Sequence, residues 1–177
     1  MKVKTIDLIA LWDAIGAVRR LSDPQRAKKP LVLKKGFTWG LGRNRDMITE
    51  IGKAADDMRK PPKWMMERDG KINKLAREYA AKDDKGNPKV VGAGFQMAAA
   101  TLDEFEVART EIMFEYEDRQ AALDAEVEKF NEKEAQEEVD FKPYMIDFEY
   151  VPDEGLPQDV MDALMIVVAP PTPKPKK

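Results

Sequence analysis

Apolar residues recur at steps of three and four along most of this chain, which is the spacing of an amphipathic helix. The pattern predicts helices over residues 5–21, from residue 31 to about residue 59, over residues 63–82, from residue 101 to about residue 138, and over residues 156–168. Thr5 is the expected N-cap of the first helix. In the last helix, the side chains expected to face inward are Val160, Leu164 and Met165.

The helix that begins near residue 101 is predicted to be the longest. The sequence TLDE has the form of a capping box, in which Thr101 accepts a hydrogen bond from the amide of Glu104 and the Glu104 side chain reaches back. Roughly 36 residues at 1.5 Å each would span about 54 Å. This length exceeds the diameter of a compact domain of this size. We therefore expect the helix to pack along other long helices, either of this chain or of another copy.

Two stretches favour β-structure. Residues 88–97 predict a small hairpin, and DDKGNP just before it has the residue types of a tight turn. Residues 139–151 alternate with period two, and the side chains expected on one face are Tyr144, Ile146, Phe148 and Tyr150. The predicted fold class is mainly α (α+β), an antiparallel helical bundle with one long helix and a small two- or three-stranded β element. We expect one domain over residues 1–168 and a disordered Pro/Lys tail over residues 169–177.

Residue types that are missing exclude several kinds of chemistry. The 177 residues include no histidine and no cysteine, and Ser22 is the only serine. A Ser-His-Asp triad, a Cys-His pair and the usual zinc sites therefore cannot be built. The turn does not follow a calcium loop either, because Asp83 and Asp84 are adjacent and Gly86 comes too early. We expect no enzyme activity, no catalytic residue, no cofactor and no metal site.

Other patterns also favour structural interpretations. Gly40 and Gly42 form a G-x-G pair, but position 45 is Arg45 where a dinucleotide fingerprint has glycine. This favours a helix kink with close packing against Trp12 or Trp39. No apolar run reaches the roughly 18 residues of a membrane span. Asp7 and Asp13 interrupt the apolar part of the first 20 residues, so a signal peptide is not favoured. We expect an intracellular protein without membrane contact.

Charge is distributed unevenly. Residues 1–64 carry 15 basic and 7 acidic side chains, whereas residues 101–162 carry 5 basic and 21 acidic ones. Basic and aromatic residues interleave in one segment, and we take as the candidate interaction surface Lys34, Lys35, Phe37, Trp39, Arg43 and Arg45. Such a segment suits nucleic acid or an acidic protein surface, and it could also face the acidic helix of the same chain. We favour a protein contact, because aromatic residues at helical spacing are more often packing residues.

The sequence KINKLAREYAAKDDKGNPKVVGAGFQM, residues 71–97, resembles a tailed-phage family catalogued as domain of unknown function 1617. The similarity lies in the layout of a charged helix, a turn, a small hairpin, a long acidic helix, an alternating strand and a short closing helix. It extends over residues 5–168 in layout and is specific in residues 71–97 and 139–168. The basic, glycine-rich segment KKGFTWGLGRNRD and the proline-rich tail depart from it. The family carries no established activity or catalytic residues.

The resemblance implies a small phage protein that is made in the host cytoplasm, with the virion as a further location. We expect a non-enzymatic structural or assembly protein that acts by helical packing with itself or with other virion proteins. The expected partners are proteins, either in a homo-oligomer or among other phage proteins. Two alternatives stay open: a small factor that binds and inhibits a host protein, and a nucleic-acid-binding accessory protein.

Overall fold

The computed structural model describes residues 1–171, so residues 172–177 of the predicted disordered tail lie outside the described residues. The helices are α1 Thr5–Ser22, α2 Lys35–Met47, α3 Thr49–Met58, α4 Lys63–Glu78, α5 Leu102–Glu115, α6 Glu117–Glu132 and α7 Gln158–Leu164. The strands are β1 Lys2–Lys4, β2 Val90–Val91, β3 Gly94–Phe95 and β4 Glu138–Asp140. The predicted fold class, mainly α with a small β element, is confirmed.

The chain divides into two compact units. Within the described residues, unit 1 comprises residues 1–59 together with residues 130–171, and unit 2 comprises residues 60–129. Unit 1 is therefore discontinuous in sequence, whereas unit 2 is a single continuous segment. The single domain predicted over residues 1–168 stays a prediction.

Helix α1 lies at the centre of unit 1. Its stripe of Leu8, Leu11, Ile15 and Val18 is almost fully buried, and the helix packs against α7 and α3. Burying one such side chain stabilises a fold by about 1.5–3 kcal/mol. Beside α1, β1 pairs with β4 in an antiparallel two-stranded sheet. The predicted first helix is thus confirmed, and it is the element around which the core of unit 1 forms.

Two details of the first three helices differ from the sequence predictions. Thr5 lies inside the first turn of α1, and its hydroxyl donates to the carbonyl of Glu137 at 3.2 Å, so it is not the N-cap. The helix predicted from residue 31 to about residue 59 is divided at Ile48 into α2 and α3. Ile48 is buried, with φ −106° and ψ 13°, which is outside helical geometry. Burial of its side chain accompanies the break in the helix.

The predicted strand over residues 139–151 is mostly wrong. Only Glu138–Asp140 pairs as a strand, Ile146 forms an isolated bridge to Val168, and Phe148–Tyr150 is a short 3-10 turn. The period-two alternation of residues 139–151 predicted a strand, but these residues make separate contacts in the structure. Ile146 is buried, whereas Phe148 is exposed on the surface. In the last helix Val160 and Leu164 are buried as predicted, but Met165 is exposed.

Unit 2 has a small apolar interior. In it α4 packs against α5, and the buried apolar residues are Ala80, Phe105 and Tyr116. The hairpin is confirmed, with Val90 opposite Phe95. The preceding turn is confirmed as well. The Asp83 carboxylate accepts the backbone N–H groups of Lys85 and Asn87, and Gly86 takes a φ of 79° that favours glycine.

The long helix predicted from residue 101 is divided, and this part of the prediction is wrong. Helix α5 ends at Glu115 and α6 starts at Glu117, because Tyr116 leaves helical geometry at φ −113° and ψ 4°. The Tyr116 ring is buried and stacked on Trp64, with 6.0 Å between ring centroids. The capping box is also absent, since the Thr101 hydroxyl donates to the carbonyl of Ala98. The break in this helix therefore coincides with burial of the Tyr116 ring.

Candidate interaction surface

The structure separates the six residues of the predicted interaction surface. Phe37 is fully buried in the core of unit 1, so it is a packing residue, and placing it on a surface was wrong. Arg45 turns away from Trp39, and its guanidinium lies 4.4 Å from the centroid of the Trp12 ring. Lys34 donates to the backbone carbonyl of Glu149. Trp39 and Arg43 remain together on the outer side of α2.

Trp39 and Arg43 form a surface with a third residue that the sequence prediction placed in a strand. Trp39 is 56% exposed, and its ring meets the ring of Tyr144 at 85° with 4.7 Å between centroids. The guanidinium of Arg43, one turn further along α2, lies 5.8 Å from the Trp39 centroid. Met47 is exposed one more turn along. We call these four residues (Trp39, Arg43, Met47 and Tyr144) the aromatic surface.

Small residues on α2 let the segment around Tyr144 approach the helix closely. A Cβ added at Gly40 would lie 2.5 Å from Cγ1 of Ile146, and one added at Gly36 would lie 2.8 Å from the ring of Tyr150. Real Cβ atoms do not approach so closely, so any larger residue at Gly40 would push the segment outward. The predicted close packing is therefore present at Gly40, but its partner is Ile146 and not Trp12 or Trp39, and a Cβ added at Gly42 would have no neighbour within 4 Å.

A buried asparagine holds Tyr144 in place. Asn44 is fully buried, its Oδ1 accepts the backbone N–H of Tyr144 at 2.8 Å, and its Nδ2 donates to the carbonyl of Tyr144 at 2.7 Å. The same Nδ2 donates to the carbonyl of Gly40 at 3.0 Å. A buried side-chain amide with its hydrogen bonds satisfied fixes local geometry, because leaving these groups unpaired would cost about 1–3 kcal/mol.

Sequence reasoning missed both Asn44 and Tyr144 as parts of a site. The available signal was a polar residue within the apolar stripe of α2, since a buried asparagine needs hydrogen-bond partners. Its partner is 100 residues away in sequence, and periodicity alone does not identify so distant a residue. The aromatic surface therefore depends on a long-range contact.

The cations of the predicted surface have no acidic partners within the described part of the chain. Lys34, Lys35, Arg43 and Arg45 form no ion pair with a carboxylate among residues 1–171. By contrast, Arg59 forms a two-pronged pair with Asp13, with both N–O distances at 2.7 Å. The side-chain hydrogen bond from Arg59 to Asp13 raises the pKa of Arg59 above its ordinary value. The charge of the aromatic surface is thus available to a partner.

The other candidate sites in the sequence resolve into structural features. Gly40 and Gly42 lie inside α2 and not in a loop that could cradle phosphates. The hydrogen bond from the Asn87 backbone N–H, together with that from Lys85, lowers the pKa of Asp83, and the loop is a turn. Among residues 1–171, no group of three or more acidic side chains is placed to hold a metal ion. In the same range, no helix combines the length and apolar character that crossing a membrane requires.

The aromatic surface is equipped for binding through apolar contact, cation–π contact and hydrogen bonds from Arg43. Comparison of the chain with family models, with curated proteins and with solved structures gives no match.

Proposed function

We propose that the protein is a non-enzymatic structural or assembly protein of a tailed phage, and that it acts by binding a protein partner through the aromatic surface. The partner is a second copy of the chain or another virion protein. One observation carries the binding role: Trp39, Arg43 and Tyr144 are held together in the open. Trp, Tyr and Arg are the residue types that most often supply the binding energy at protein interfaces.

The phage setting rests on the resemblance of residues 71–97 and 139–168 to the tailed-phage family. It places synthesis in the host cytoplasm, with the virion as a further location. A factor directed at a host protein would use the same surface, so the place of action decides between these roles. Mass spectrometry of purified particles separates them, because a virion component is present in stoichiometric amounts.

Geometry favours a protein over a nucleic acid as the partner. One face of the Trp39 ring lies under the Arg43 guanidinium, and Tyr144 packs against the ring at right angles, so both contacts reduce the part of the ring that is open to a stacking base. Among the cations, Lys34 is bound to a backbone carbonyl and Arg45 covers Trp12. Both side chains keep their charge, but these contacts within the chain restrict how they can reach the phosphates of a nucleic acid.

The test is the variant Trp39→Ala, with Val32→Ala as its matched control, since Val32 is 90% exposed and lies outside the aromatic surface. We expect self-association, measured by light scattering at about 50 µM, or capture of a particle protein by the tagged chain. Losing a tryptophan at the centre of an interface should weaken that binding by about 30-fold or more. Val32→Ala should leave it unchanged.

Two results would contradict the proposal. One is a chain that remains strictly monomeric and captures no particle protein. The other is submicromolar binding of DNA or RNA near physiological salt that is abolished by reversing the charges of Lys34, Lys35, Arg43 and Arg45. The second result would identify a nucleic-acid-binding protein, and its affinity would fall steeply with salt.

A further inference from the structure

A groove of about 430 Å³ runs along α5 and α6 in unit 2. Its lining extends from Thr110 in α5, across the break at Tyr116, to Asp124 in α6. Phe114 projects from one side and is 75% exposed, and Met113 is exposed next to it. A phenylalanine so accessible is costly to hydrate, and it provides an anchor for an apolar partner.

The charge that lines this groove is negative. Glu117 and Asp124 belong to the lining, and Arg68 is its one cation among the described residues. The Arg68 side chain is only 14% exposed and is already engaged, with Nη2 2.9 Å from Asp69 and Nη1 donating to Gln120 at 3.1 Å. Arg68 is therefore not free to bind an anion that enters the groove.

An excess of negative charge extends along both α5 and α6. Residues 102–132 carry eleven acidic and three basic side chains. Two of the acids have cationic partners: Glu115 accepts from Lys71 at 2.6 Å and Glu106 accepts from Arg109 at 3.0 Å. The hydrogen bond to Glu115 raises the pKa of Lys71. Residues 102–132 carry a net charge of −8, which gives α5 and α6 a negative field. Two cations lie beside the groove, with Lys71 Nζ 5.1 Å and the Arg119 guanidinium 5.6 Å from the ring centroid of the lining residue Tyr116.

These three properties define the occupant. The groove is apolar at its anchor, its two helices carry a net negative charge, and its lining on them spans 15 residues, which matches a basic amphipathic helix laid along α5 and α6. A second copy that presented the same face would place like charges opposite each other, which is unfavourable. We propose that the groove binds a basic amphipathic helix of another protein, with an apolar side chain of that helix packed against Phe114.

This proposal is independent of the aromatic surface, because every residue that it uses lies in unit 2. The probe is a fluorescein-labelled peptide of about 18 residues with leucines on one helical face and lysines on the other, which spans about 27 Å as a helix. A second peptide has glutamates in place of the lysines. Binding to the full chain is followed by fluorescence anisotropy. The variant is Phe114→Ala, and the matched control is Phe148→Ala, an exposed phenylalanine of unit 1.

We expect the lysine peptide to bind with a Kd of about 1–50 µM, and the affinity to fall as salt rises from about 50 to about 500 mM. Phe114→Ala should weaken binding tenfold or more, Phe148→Ala should not change it, and the glutamate peptide should not bind.

Each of four results would overturn the proposal. They are no binding of the lysine peptide at about 200 µM, equal binding of the two peptides, equal affinities for Phe114→Ala and the unmodified chain, and a homodimer that Phe114→Ala dissociates. The last result would show that a second copy covers the groove. The first three results do not bear on Trp39→Ala, so this proposal can fail while the proposed function stands.

Discussion

Unit 1 and unit 2 are both built mainly of helices, but they differ in how much apolar surface they bury. In unit 1, seventeen buried residues form one continuous core around α1. Among residues 60–129, only Ala80, Phe105 and Tyr116 are buried apolar residues, and α4 and α6 have no buried residue. Helices of this length are marginal in water without tertiary packing. We therefore expect unit 1 to gain more stability from its own core than unit 2, and unit 2 to gain more from a partner.

The largest expected effect is in the core of unit 1. Ile15→Ala should lower the free energy of unfolding by about 2–5 kcal/mol, because it removes a fully buried side chain and leaves a cavity. The matched control Ile6→Ala changes the same residue type on the same helix at an exposed position, and it should stay within about 0.5 kcal/mol. Hydrogen exchange of the amides of α1 measures both effects, since it reports on unit 1 separately. Equal losses for the two variants would contradict the burial of this face of α1.

A smaller effect is expected in unit 2. Phe105→Ala removes the ring that packs against Tyr79, with 6.2 Å between centroids. A loosely packed neighbourhood can collapse into the space, so we expect a loss of about 1–3 kcal/mol, below the roughly 3–5 kcal/mol that is usual for this change in a dense core. Phe114→Ala, at an exposed position of the same helix, should have little effect in the absence of a partner. The exchange rates of the α5 amides provide the measurement. A loss from Phe105→Ala as large as that from Ile15→Ala would remove the contrast between the units.

The smallest effect concerns the turn before the hairpin. Hydrogen bonds from the backbone amides of Asn87 and Lys85 lower the pKa of Asp83 in the folded chain. Its stabilising contribution is therefore present above the unfolded pKa of about 4 and is lost as the pH falls through the lower folded-state value.

Asp83→Asn should accordingly speed exchange of the hairpin amides slightly at neutral pH, and the difference from the unmodified chain should disappear once the pH falls below the lowered folded-state pKa of Asp83. The control Asp84→Asn changes an adjacent acid that makes no hydrogen bond or ion pair with the described residues, so no difference is expected at any pH. A difference that grows as the pH falls would contradict the assigned hydrogen bonds. Calcium should leave both variants and the unmodified chain unchanged, because the loop is a turn.

Local patterns predicted the elements of this fold well where a single periodicity governs them. Helix α1, the hairpin and α4 lie close to the predicted positions, because their apolar spacing and turn residues act within a few positions of sequence. The breaks at Ile48 and Tyr116 were not predicted, since each residue continues the apolar stripe. What distinguishes them is the tertiary packing of one buried side chain, and no local pattern contains that information.

The candidate site was predicted only in part for the same reason. Trp39 and Arg43 were identified because basic and aromatic residues interleave in their segment, and they do lie together on the surface. Phe37 was misplaced because it shares their helix but faces the core. Tyr144 was assigned to a strand, and its place beside Trp39 follows from the hydrogen bonds of Asn44 across 100 residues of sequence. A contact of this range depends on the assembled fold.

The discontinuity of unit 1 also sets the order in which the chain can assemble during translation. At roughly 5–20 residues per second, a ribosome needs about 4–14 s to add residues 60–129 after the first 59 have been made. During that interval α1 has neither α7 nor β4 to cover it, and its apolar face is open to chaperones or to other nascent chains. Unit 2 is complete before unit 1 can close. A partner that recognises unit 2 can therefore bind the growing chain before the aromatic surface exists.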